Sequence, residues 1–157
     1  MKLNIEMIPV ENLTPYEKNA RKHQEKDVDA IADSIKAFGF NDPVGVWGKN
    51  NIVVEGHGRL MAAKQIGMKE VPCIRLDELT DAQRRAYALA HNKTAELSGW
   101  DYNLLDSELE KIADIDMMPF GFTNTGEADM DAFFNEEEPT KEPKKIQCPE
   151  CGEWFEV

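Results

Sequence analysis

The chain has 157 residues, and its 18 basic and 30 acidic side chains give a formal net charge of −12. That length suits one ordinary hydrophobic core and a tail, and is short for two full domains. There is no apolar run of about 18 residues, and Met1-Lys2-Leu3-Asn4-Ile5-Glu6 lacks the apolar centre of a secretory leader. A soluble, cytoplasmic protein with no membrane segment is expected.

The charge is unevenly placed. Residues 1–100 carry 14 basic and 14 acidic groups, whereas 101–157 carry 4 and 16. The N-terminal part is therefore neutral. Global acidity does not exclude contact with nucleic-acid phosphate, and no basic patch argues for it.

Leu3, Ile5 and Met7 alternate as in a short strand, and Pro9 and Pro15 mark the loop that follows. After the polar, basic segment 18–23, Val28, Ile31, Ala32, Ile35 and Phe38 recur at helical spacing, with Gly39 as C-terminal cap. Val44-Gly45-Val46-Trp47 reads as a strand. Gly48-Lys49-Asn50-Asn51 is hairpin chemistry, so residues 52–54 are expected to return antiparallel to it. A helix follows the glycines at 56 and 58 and ends at Gly67. Val71 to Leu76 is a further strand, placed at a sheet edge because of Pro72, with Cys73 as a small buried residue.

Thr80-Asp81-Ala82-Gln83 has the form of a capping box and opens a helix with Ala82, Ala86, Leu89 and Ala90 on one side. Asp101 caps another, whose apolar stripe is Leu104, Leu105, Leu109 and Ile112. These elements divide the chain into a domain at 1–97, a helical extension at 98–122, an acidic and flexible linker at 123–145, and a terminal knuckle at 146–157. The knuckle holds Cys148 and Cys151 in a Cys-Pro-x-Cys-Gly sequence. Without a secretion signal this points to a Zn²⁺ ligand pair before a redox pair. One such pair supplies two of the four ligands of structural zinc, so a second chain or a longer ribbon would complete it.

The stretch from Val53 to Gly67 organises the rest. A β-branched run ends in Glu55-Gly56-His57-Gly58-Arg59, where a helix begins. Unpaired backbone N–H groups and the positive end of the helix dipole attract phosphate or carboxylate at such a start. Arg59 adds a cationic fork, and Gly56 and Gly58 would let a ligand approach the backbone. Glycine also occurs in such turns for steric reasons alone. Glu55 and His57 are the candidate acid–base groups, against a capping or salt-bridging carboxylate and a solvated histidine. The spacing fits neither a Walker loop nor the dinucleotide fingerprint.

Taken together, Asn19-x-Arg21-Lys22, Ser34-Ile35-Lys36, Gly39-Phe40-x-x-Pro43, Gly56-x-x-Arg59-x-x-Ala62-Ala63-Lys64 and Val71-Pro72 resemble the ParB N-terminal domain, over about residues 3–97. The resemblance implies the ParB/sulfiredoxin fold, a mixed α/β domain with a small sheet and packed helices. It also implies a nucleoside triphosphate ligand, CTP or ATP, with Mg²⁺. Gly56, His57, Gly58 and Arg59 would then meet the phosphates, with Asn41, Asp42 and Pro43 beside the nucleotide. Arg21 and Lys22, read from the residues alone, could close over a nucleotide from the N-terminal loop or belong to an ordinary polar surface. Asn92 resembles the asparagine of the family's Glu-Asn-x-x-Arg segment, here with His91 in place of Glu and Ala95 in place of Arg. No DNA-reading helix-turn-helix follows, and His57 occupies the position of sulfiredoxin's nucleophilic cysteine.

The expected function is a ParB-like nucleotide-binding accessory protein of a phage or mobile element, acting on or near DNA. Two other classes stay open. One is an enzyme, either a ParB-like nuclease or a small-molecule phosphotransferase. The other is a non-catalytic interaction module associated with a DNA methyltransferase. The partners expected are a nucleotide, DNA or a DNA-modifying protein, and a second copy in a homodimer.

Overall fold

The computed structural model describes residues 4–112 and 114–122, and the backbone of Lys145–Gln147 and Trp154–Glu156. The chain divides into two units, Met1–Thr123 and Asn124–Val157. In the first, β1 (Ile5–Pro9) and a short 3-10 turn at Val10–Asn12 precede α1 (Glu25–Phe38), β2 (Val44–Trp47), β3 (Ile52–Glu55) and α2 (His57–Gln65). Then come β4 (Glu70–Arg75), α3 (Asp81–Glu96), α4 (Tyr102–Lys111) and a 3-10 turn at Met118–Phe120. In the second unit β5 (Lys145–Gln147) and β6 (Trp154–Glu156) pair antiparallel, with Ile146 opposite Phe155. Cys148, Cys151 and the linker expected at 123–145, apart from the backbone of Lys145, lie outside the described residues.

The sheet order is β1-β4-β2-β3. β2 and β3 form the expected antiparallel hairpin, with Gly48 at φ 73° and Asn51 at φ 48° in its turn. β4 runs parallel to β2 and antiparallel to β1, so it is an inner strand and not the edge strand that Pro72 suggested. The reason is register. Pro72 lies opposite Met7 on β1, while pairing with β2 begins one residue later, at Val44 and Cys73. The missing N–H therefore falls just before the parallel ladder.

Val44, Val46, Val53, Val71 and Cys73 are fully buried and meet Leu60 and Ala63 of α2, with Ile8, Val10 and Leu13 closing the same core. On the other side of α2, Ala62 meets Val28 and Ala32 of α1, and Ile31, Ile35 and Ile66 pack around them. Thus α2 is a middle layer between the sheet and α1. Cys73 is the small buried residue expected, and burial, reinforced by the Glu6 carboxylate, pushes its thiol up to about 11. A thiol held protonated is a poor nucleophile. On β1 the buried side chain is Ile8, while Ile5 and Met7 of the expected alternation are exposed.

Two helices differ from expectation in the face they bury. The Thr80 cap forms as expected: the Gln83 N–H donates to Thr80 Oγ1 at 3.3 Å and the Thr80 N–H to Gln83 Oε1 at 2.9 Å. Yet Ala82, Ala86, Leu89 and Ala90 are exposed, and the buried residue of α3 is Arg84. Its guanidinium lies 4.6 Å from the centre of the Tyr16 ring and 4.9 Å from that of Trp47, and Nη2 meets Asp81 Oδ1 at 2.6 Å. A planar cation between two aromatic faces has displaced the apolar stripe as the anchor of this helix. In α4, capped by Asp101 through the Leu104 N–H at 3.2 Å, no residue of the stripe is fully buried, and Leu104 is 66% exposed. Among the described residues no helix is long and apolar enough to cross a membrane.

Replacing Arg84 by alanine removes both cation–π contacts and the pair with Asp81. The expected cost is about 2 kcal/mol, seen as a lower urea midpoint with unchanged slope. Arg84→Lys keeps the charge without the flat stacking surface and falls between the two. Identical unfolding curves for all three proteins would remove this anchor from the account.

Candidate functional site

An open cleft of about 1090 Å³ lies where the loop at 19–23, α1, the turn at 39–42, the start of α2, the end of α3 and the turn at 118–121 come together. Of the residues singled out from the sequence, Arg21, Asn41, Asp42, Glu55, Gly56, His57, Gly58, Arg59 and Asn92 all line it. Pro43 does not. Residues up to 71 positions apart in the chain are thus brought to one surface, with Arg21 Nη1 donating to Asn92 Oδ1 at 3.4 Å.

At the floor, β3 ends at Glu55 and the chain turns through Gly56, which adopts φ 83° and ψ 24° as the N-cap of α2. Only glycine takes that left-handed conformation without strain. A Cβ there would also lie 2.9 Å from Arg59 Nη2, so the guanidinium is folded over the turn that precedes it. Gly58 has a different task from the one expected. A Cβ on it would lie 2.9 Å from Ile31 Cδ1 and 3.0 Å from His23 Cε1, so its bareness lets α1 and the loop before it close on α2.

The Arg59 side chain is 17% exposed, and its Nη1 pairs with Asp42 Oδ2, whose side chain is 75% exposed. Its Nε is buried and has no hydrogen-bond partner. Burial lowers the guanidinium pKa from its ordinary value, opposed by Tyr87, yet arginine stays charged at neutral pH. A cation so placed favours a counter-anion with more than one acceptor oxygen.

The candidate acid–base groups are already engaged. Glu55 is 12% exposed, and its Oε2 contacts His91 Nε2 at 2.9 Å and accepts from the Tyr87 hydroxyl at 3.3 Å. Burial, with Glu55 adding to it, raises the Tyr87 pKa, so the phenol remains a donor. His57 Nε2 accepts from the Tyr16 backbone N–H at 3.2 Å, which puts the proton of the neutral ring on Nδ1. Burial is the main cause of its lowered pKa, and His23 is the second. The side chain of Asn41 is spent on the last turn of α1, donating to the Phe38 carbonyl at 2.6 Å.

Several lining residues were not apparent from sequence. His23 packs on Gly58, and its pKa is lowered first by burial and then by Arg21. Lys26 and Asp27 of α1 add one charge of each sign. Met118–Gly121 forms a wall, anchored by the Phe120 ring 5.2 Å from that of Phe38. The only early signal for His23 was its place in the polar, basic segment 18–23. The wall had none, since nothing in its composition ties it to α1. Among the described residues no group of three or more His, Cys, Asp or Glu is placed to hold a metal ion.

This geometry has relatives. The chain belongs to the ParB N-terminal domain family, which matches residues 2–93. It is 44% identical over 84 residues to the ParB-like nuclease domain-containing protein YnaK of Escherichia coli K12, a match spanning 54% of this chain and 95% of that protein. It is 35% identical over 89 residues to the probable chromosome-partitioning protein ParB of Campylobacter jejuni, covering 55% of this chain and 32% of that one. Among solved structures, the C-terminally truncated chromosome-partitioning protein ParB from Caulobacter crescentus, complexed with CTP-γ-S, superposes with a TM-score of 0.60 at 20% identity. That superposition covers 74% of this chain and 68% of the other. The ParB/sulfiredoxin-type mixed α/β fold expected from the motifs is the fold observed.

The buried histidine makes stability depend on pH. His57 has a folded pKa below 6.5, so between that value and 6.5 the unfolded chain binds the extra proton. Stability from this group is present above pH 6.5 and is lost as pH falls through the folded pKa. The melting temperature should therefore drop between about pH 7 and about pH 5. His57→Gln, whose amide oxygen can still accept from Tyr16, should show a shallower fall. Parallel profiles for the two proteins would show that His57 does not contribute.

Proposed function

We propose that the cleft binds the phosphate chain of a nucleoside triphosphate and that the protein is a nucleotide-binding ParB-family module acting on or near DNA. The observation that carries this reading is the Arg59 guanidinium, charged, mostly buried and with an unpartnered Nε, at the N-terminal end of α2. Backbone N–H groups at a helix start and a guanidinium beside them each favour an anion. Arg21, Lys22 and Lys26 around the same opening add positive charge for further phosphates. A ParB of the same fold has been seen with CTP-γ-S, which supports a nucleotide as the occupant here. Glu55 and His57 act in this reading as supports, because each already holds a neighbouring segment in place. Mg²⁺ would accompany the phosphates, since such ions are held largely by phosphate oxygens and water.

Calorimetric titration with CTP, ATP and GTP in the presence of Mg²⁺ tests the reading. Arg59→Ala should weaken triphosphate binding by about tenfold to a hundredfold, the usual consequence of deleting a hydrogen bond to a charged group. Thermal melts show whether the variant stays folded. Equal affinity of both proteins, or no triphosphate bound by either, would refute the proposal. Since one relative bears a nuclease name, plasmid incubated with the protein and Mg²⁺ belongs in the same series. Cleavage abolished by Glu55→Gln would move the function to the enzyme class.

A further inference from the structure

The partner of Arg59 is unusual. The guanidinium is mostly buried, yet the carboxylate that meets it belongs to Asp42, three-quarters exposed on a turn from another part of the chain. That turn is fixed at its start by the Asn41 amide on the Phe38 carbonyl at 2.6 Å and by Gly39 at φ 88°. It therefore presents its acidic residue over the opening and does not bury it. A carboxylate exposed to this degree gains little from an ion pair, but its tether keeps it at high effective concentration beside the cation. It takes the position that a ligand's anionic oxygen would need.

We propose that Asp42 is an internal competitor for the anion seat, its carboxylate occupying Arg59 when the cleft is empty and leaving when a phosphate enters. This rests on the phosphate-binding reading and adds its regulation. Binding then requires the open state, so measured affinity is the intrinsic affinity reduced by the open fraction. An anion with several oxygens and charges displaces the carboxylate. A weakly charged one does not, and the competitor thus sets which anions the cleft accepts. Asp42→Asn removes the competing charge while leaving the exposed turn its size and shape.

The probes are inorganic pyrophosphate and CTP with Mg²⁺, titrated into wild type, Asp42→Asn, Asp42→Ala and Asp27→Asn, with Arg59→Ala as the reference for a lost seat. Asp27 lines the same cleft without pairing with Arg59, and asparagine can still accept the Gln24 N–H that Asp27 Oδ2 holds at 3.0 Å. Both Asp42 variants should bind each probe about five- to tenfold more tightly, the gain expected from removing a modest closed-state bias. Asp27→Asn should change binding by less than about twofold, since only the long-range field is altered. If wild type binds, Arg59→Ala does not, and the Asp42 variants bind equally or more weakly, Asp42 is no competitor and the phosphate reading stands. An equal gain from Asp27→Asn would make the effect one of net charge and overturn the inference. No binding by wild type or by either Asp42 variant would remove both.

Discussion

The contact between α1 and α2 sets the geometry of everything around it. Ala32 and Ala62 are fully buried where the helices meet, and Gly58 offers no Cβ at the point of closest approach. Because nothing larger stands between them, Ile31 and the His23 ring reach the backbone at the start of α2. Close packing of this kind tolerates little added volume. The same approach brings the loop at 19–23 over the turn at 55–59, and the cleft exists only because these segments are held a short distance apart.

Above that packed layer the cleft is built from charges that are already partly satisfied. Glu55 accepts from the Tyr87 hydroxyl and meets the His91 ring, both on α3, and His57 takes a backbone N–H from the loop at Tyr16. Tyr16 in turn faces Arg84, which also lies against Trp47. A continuous set of polar contacts therefore runs from the anchor of α3 to the first residue of α2, and Arg59 alone among the cleft cations combines deep burial with an unpartnered nitrogen. In a site of this kind, fully paired groups fix position and the incompletely paired one remains available to a ligand.

The elements made from regular periodicity were legible in the sequence. α1, the β2–β3 hairpin, the turn into α2 and the cap at Thr80 each follow from residues within one or two turns of one another. What failed was the choice of buried face wherever a polar residue replaced an apolar one. Arg84 reads as a solvated charge until Tyr16 and Trp47 are known to flank it, and those partners lie 68 and 37 positions away. Pro72 reads as an edge residue because the register that accommodates it depends on where β2 begins to pair. Apart from Pro43, the motif residues lay within short segments, and the fold places them along one cleft. His23, Lys26 and the wall at 118–121 join them only through the approach of α1 to α2 and the return of the chain after α4.

That return has a consequence for how long a ligand bound as proposed would stay. Phe120 stacks near Phe38, and Met118–Gly121 closes one side of the opening, although the family match ends at residue 93. A relative in which 84 aligned residues make up 95% of the protein is too short to contain all of residues 4–122. A wall that adds few polar contacts changes the escape route more than the strength of attachment. Two proteins sharing the same anion seat would then differ in residence time, with dissociation slower in the one whose chain comes back to cover it.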